Sequence, residues 1–144
     1  MTEKQVIIYV RGEQYYEGVD PDSIELATEG TMTVADDGTI TLEYRETELT
    51  GMEGTTTRFQ LKDEQVILTR TGGVTSQMVF QEGQPNSSIY RTPWGELQVL
   101  ISTRRLAHRL NERGGILDIK YAISVGHQVM GENQFKIRVR EETR

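Results

Sequence analysis

The 144-residue sequence carries 16 Lys+Arg against 22 Asp+Glu, a formal net charge of -6, and no cysteine. That length suits a single domain over residues 1–144 with a core that stands without staples, and the missing thiols exclude disulfides and thiolate metal sites. The apolar run from Val6 to Val10 is too short for a signal-peptide core or a membrane span, so a soluble, cytoplasmic protein without a membrane partner is expected.

In chain order, Val6, Ile8 and Val10 alternate with Ile7, Tyr9 and Arg11, which predicts a first strand apolar on nearly both faces. Residues 12–22 are expected as loop, with Tyr15 and Tyr16 either half-buried there or plugging the end of a barrel. Ile24, Leu26, Met32 and Val34 form one long or bent strand with a bulge at Gly30. Ala35-Asp36-Asp37-Gly38 reads as a type I turn whose glycine takes the left-handed position. Ile40, Leu42 and Tyr44 then face one way and Thr41, Glu43 and Arg45 the other.

After a hairpin over residues 51–54, Thr55, Thr57, Phe59 and Leu61 alternate with Arg58, Gln60 and Lys62. Lys62-Asp63-Glu64-Gln65 turns the chain, and residues 65–71 form the next strand. Gly72-Gly73 is expected as a two-residue turn with positive φ, residues 74–81 as the returning strand, and residues 83–86 as a looser turn around Pro85. Thr92-Pro93-Trp94-Gly95 repeats the proline-then-glycine turn chemistry.

Residues 104–113 satisfy both periods: Leu106 and Leu110 suit a helix, and Leu106, His108 and Leu110 suit a strand. Strand is preferred because Asn111-Glu112-Arg113-Gly114 repeats the hairpin signature and opens the alternation of Leu117, Ile119, Tyr121, Ile123 and Val125. Gly126-His127 gives a further primed turn, and Phe135, Ile137 and Val139 close the chain. About ten strands joined by hairpin-length connections predict an all-β protein, an up-and-down antiparallel barrel rather than a Greek-key sandwich.

The succession Val66-Ile-Leu-Thr-Arg70-Thr-Gly72, Met78-Val-Phe80, Tyr90-Arg-Thr92-Pro-Trp-Gly95, Thr103, Gly114-Gly115, Tyr121 and Asn133 resembles the bacterial YwiB-like family, DUF1934, whose function is unassigned. The likeness covers nearly the whole chain, more loosely before residue 50. It implies a calycin-like barrel, similar in shape to lipocalins, in a bacterial cytoplasm. It implies no activity, ligand or catalytic residue. Trp94 departs from the pattern as a bulky residue at a turn tip.

Arg70 shares parity with Val66 and Leu68, so an inward-facing Val66 and Leu68 carry its guanidinium inside, where it needs an anion or several carbonyls. The opposite parity, with Ile67 and Thr69 inward, puts it on the surface; an internal glutamate is the other way to satisfy it. Met78, Phe80, Tyr90, Thr92 and Tyr121 share inward parity and suit either an amphipathic small molecule or a filled core. With Arg70 they form the candidate ligand site. Parity leaves Arg45, Arg58 and Arg91 outside, which removes the charges that catalysis on a phosphorylated metabolite requires.

His108 and His127 show no ligand spacing, and neither nucleophile elbow nor phosphate-cradling loop occurs, so no metal, cofactor or enzymatic activity is expected. Charge supplies the alternative function. Residues 1–89 are net -10 and residues 90–144 net +4, and Arg104, Arg105, Arg109, Lys120, Lys136, Arg138 and Arg140 make a basic stripe for RNA or an acidic protein. Net acidity and the lack of stacking aromatics on those strands weigh against nucleic acid.

Overall fold

The computed structural model describes residues 1–15, 22–47, 53–72, 75–92, 95–126 and 128–142, apart from the side chains of Tyr15, Asp22, Tyr90, Thr92 and Met130. Within these, ten strands follow one another: β1 (Thr2–Tyr15), β2 (Asp22–Val34), β3 (Ile40–Arg45), β4 (Thr56–Lys62), β5 (Gln65–Thr71), β6 (Thr75–Gln81), β7 (Pro85–Thr92), β8 (Gly95–Asn111), β9 (Gly114–Val125) and β10 (Gln128–Glu141). Each pairs antiparallel with its neighbour in sequence, and β1 pairs with both β2 and β10 to close a barrel. Residues 104–111 are strand, the last part of β8. Among the described residues no helix is long and apolar enough to cross a membrane.

The inside is dictated by alternation. Val6, Ile8, Met32, Leu42, Phe59, Leu61, Val66, Leu68, Phe80, Ile101, Leu117, Ile119, Ile137 and Val139 form one buried cluster, each placed by the period of two along its strand. In β4 the outward residues between them are polar, with Arg58, Gln60 and Lys62 exposed.

Several expectations are corrected. Residues 12–15 belong to β1 rather than to a loop, because β2 and β10 both continue alongside and Gln14 is paired with Asp22 on one side and Asn133 on the other. The pairing of β1 with β2 runs unbroken past Gly30, so there is no bulge. Gly30 is there for space: a Cβ would sit 2.5 Å from Ile8 Cδ1 and 2.6 Å from the Glu43 carbonyl oxygen. Register shifts occur instead in β10, between Val129 and Gly131, and in β8, between Thr103 and Arg105. One extra residue in β8 lets both Thr103 and Leu106 turn inward, and leaves Arg104 and Arg105 both outside.

The turns show the same mixture. Gly38 takes φ 92 and its N–H donates to the Ala35 carbonyl at 3.0 Å, as the turn chemistry predicts. The looser turn expected over 83–86 is instead a tight reversal over 81–84, with the Gln84 N–H donating to the Gln81 carbonyl at 3.0 Å and Gly83 at φ 78. Pro85 then begins β7, at a strand start where no amide donor is needed. The two-residue turn expected at Gly72-Gly73 falls partly outside the described residues. Gly72 keeps φ 121; Gly73, like Tyr16, Gly51, Pro93, Trp94 and His127, lies outside the described residues.

Gly115 has φ 136, and an added Cβ would fall 1.8 Å from the Arg109 carbonyl oxygen, whereas Gly38 has open space around it. Gly38→Ala is therefore expected to cost about 1–2 kcal/mol for the left-handed backbone alone. Gly115→Ala adds overpacking, for a total of about 3 kcal/mol or more. Urea midpoints of the two variants check the order, and equal losses contradict it.

Candidate functional site

The strand β5 alternates as its sequence suggests, with Val66, Leu68 and Arg70 buried and Ile67 and Thr69 half-buried on the other face. Register then builds a polar row around the inside of the barrel. Tyr44 of β3 lies opposite Thr57 of β4, Thr57 opposite Arg70, and Arg70 opposite Ser76 of β6. Two residues further in, the corresponding row is Leu42, Phe59, Leu68 and Met78, which is apolar throughout. A single step of two residues separates charge from hydrocarbon.

Above that step the lumen is open. A cavity of ≈ 630 Å³ is lined by Tyr44, Glu46, Arg70, Met78, Tyr121 and Phe135 among others, with half-exposed Ile24 at its mouth. Its floor is aromatic: Phe59 meets Phe135 edge-on at 5.9 Å, Phe135 stacks on Tyr121 at 5.8 Å, and Tyr121 leans on Phe80 at 4.8 Å. Below the floor the barrel is filled by the core cluster, so one end is solid and the other hollow.

Arg70 is 9% exposed. Its Nε is buried without a hydrogen-bond partner, and the guanidinium makes no ion pair with a described residue. The nearby carboxylate is engaged elsewhere: Glu46 is buried, and its Oε1 accepts from the Thr57 hydroxyl at 2.6 Å. Tyr44 is held above the ordinary phenol value of 10.0 by burial, then by the charge of Glu46 and a hydrogen bond to it, while Arg70 pulls the other way. Ser76 and Ser88 on β6 and β7 also bury hydroxyl oxygens that lack partners. The cavity thus has an apolar floor, one cation without a counter-ion at bonding distance, and donors beside it. That combination suits a molecule with an apolar body and an anionic end.

Of the six candidates read from the sequence, Arg70, Met78 and Tyr121 meet on this cavity. Phe80 does not line it; it is fully buried beneath Tyr121 as part of the floor, because its place on β6 falls at the filled end. Tyr90 and Thr92 lie on β7, Tyr90 opposite Ser76, and their side chains are outside the described residues. Glu46 and Phe135 line the cavity but were not among the candidates. The signal was present: Glu46 continues the parity of Leu42 and Tyr44 by one more step, and Phe135 shares that of Ile137 and Val139. His108 is an exposed residue of β8, and among the described residues no cluster fit to hold a metal ion occurs.

A family model described as a domain of unknown function, DUF1934, matches residues 8–137. The crystal structure of the ywiB protein from Bacillus subtilis superposes with a TM-score of 0.86 at 23% sequence identity, covering 98% of this chain and 94% of that one. At that identity the likeness speaks for the fold. No curated protein matches the sequence.

The raised Tyr44 phenol has a consequence for stability. The folded chain holds this proton more tightly than the unfolded chain does, so the contribution is complete below about pH 10 and is lost as pH rises through the folded value. Wild-type urea midpoints are expected to fall more steeply above about pH 10 than those of Tyr44→Phe. Parallel curves for the two proteins contradict this assignment.

Proposed function

We infer that this chain, which belongs to the DUF1934 family, binds one small amphipathic anion, a carboxylate or a phosphate ester, in the open end of its barrel. The observation that carries the reading is Arg70: a buried guanidinium whose Nε has no hydrogen-bond partner, facing a cavity of ≈ 630 Å³ that Met78, Tyr121 and Phe135 line together with the carboxylates of Glu13 and Glu46. A buried cation without a partner costs on the order of several kcal/mol. Solvent entering by the mouth offsets part of that cost, and a bidentate anion offsets more.

The volume lies within the range of about 300–1,000 Å³ that suits small-molecule sites. The anionic end meets Arg70 and the hydroxyls beside it, and the apolar body rests on Met78, Tyr121 and Phe135. No nucleophile or general base is required, so the reading is of a binding protein and not an enzyme.

Arg70→Met separates this role from a structural one. In the empty protein the substitution removes an unpaired buried charge, and is expected to raise stability by on the order of 1 kcal/mol. It should abolish the thermal shift that decanoate or octyl phosphate gives to the wild type, and the small anion seen by native mass spectrometry of protein purified without organic solvent. If Arg70→Met loses stability like a truncated core residue and the two probes behave alike with both proteins, the guanidinium is part of the scaffold and the reading fails.

A further inference from the structure

A second feature lies outside the lumen, on the wall made by β8, β9, β10 and β1. Arg105, Arg109, Lys120, Lys136, Arg138 and Arg140 lie on its outer face, all exposed except the half-buried Lys120. Register places them in adjoining rows. Arg105 is opposite Lys120, and Arg109 is opposite Ile116, which is opposite Arg138; Lys136 lies between Asp118 and Arg11. None of the six forms an ion pair with a described residue, in a chain whose acids outnumber its bases. By contrast, the neighbouring Arg104 reaches Glu132 at 3.7 Å and Arg11 reaches Glu13 at 2.6 Å. Two acids line this wall's groove: Asp118 accepts from Gln134 Nε2 at 2.9 Å, and Glu25 pairs with Arg11 at 3.4 Å.

Charge is half of the feature. A surface groove of ≈ 600 Å³ runs through the block, lined by Tyr9, Arg11, Ile116, Asp118, Lys136 and Arg138 among others. Ile116 stands 53% exposed, with Arg109 and Arg138 on either side. An apolar side chain ringed by unpaired cations complements a ligand that alternates carboxylates with apolar groups.

Two physical points choose among polyanions. Base stacking needs a free aromatic face, and Tyr9, the ring on this patch, is covered by the Arg138 guanidinium at 4.5 Å and flanked by that of Arg140 at 5.7 Å. Strand addition is closed off, because both edges of β1, β9 and β10 are already paired. Recognition here must come from side chains. We propose that this wall docks an extended acidic segment of a partner protein, with one apolar residue of that segment seated on Ile116 and its carboxylates on Arg109, Lys136 and Arg138.

The test uses the full chain in anisotropy titrations with three labelled probes. One is a short peptide alternating glutamate with leucine, one a peptide alternating glutamate with serine, and one a short single-stranded RNA. The Glu-Leu peptide is expected to bind most tightly and to weaken as salt rises. Arg109→Glu/Arg138→Glu, both surface changes, should weaken it about tenfold or more. Ile116→Ser should erase the preference over the Glu-Ser peptide while leaving the salt dependence in place. The proposal is overturned if neither peptide binds at low salt, if RNA binds more tightly than either, or if binding survives the double charge reversal. A concentration-dependent dimer that the same reversal abolishes also overturns it, since a second copy would then occupy the wall.

Discussion

Closure by β1 is the constraint on which the rest of the molecule rests. From Val6 to Gln14 this strand is hydrogen-bonded on both sides, to β2 and to β10, which joins the two ends of a ten-strand meander. Without that double pairing β2 and β10 would each present a bare edge, and the inward side chains of all ten strands would have no common interior. The length of β1 matters as much as its position: carrying the strand past Gly12 sets the height of the wall beside the cavity.

Given closure, register does the remaining work. Each strand contributes one side chain to each level, so the composition of a level is decided by residues far apart in sequence. One level collects Leu42, Phe59, Leu68 and Met78; the next collects Tyr44, Thr57, Arg70 and Ser76. The same arrangement operates outside, where β8, β9 and β10 bring together cations from residues 105 to 140. Interior and exterior chemistry therefore come from the two parities of the same strands, and either can change without disturbing the other.

Much of this was legible in the sequence because alternation is a local signal. The inward set of β4 follows from it, and so does the burial of Arg70 once Val66 and Leu68 face inward; the turn at Gly38 follows from turn chemistry, and residues 104–111, which satisfy both periods, follow from the hairpin signature after them. What escaped depends on neighbours that are distant along the chain. Gly30 looks like a bulge until Ile8 and Glu43 are placed against it. The extra residue near Arg104 is invisible to a reading that assumes unbroken alternation, although Thr103 and Leu106 have opposite parity and both turn inward. Phe80 has the inward parity of a lining residue, but its level in the barrel, which decides between floor and cavity, is a matter of shear between strands.

One joint in the wall differs from the others. Among the described residues, β6 and β7 pair at Thr75 with Arg91 and at Ser76 with Tyr90; an isolated bridge joins Gln81 to Gln84 just before β7, and the Gln81 N–H turns to Thr103 Oγ1 of β8. Elsewhere the circumference is laced by ladders, so changing the diameter there means breaking backbone hydrogen bonds. Along β6 and β7 fewer such bonds stand in the way. Among the described residues the wall is least tied here, next to Met78, so under the proposed reading this is the side on which the cylinder would widen for a bulkier guest.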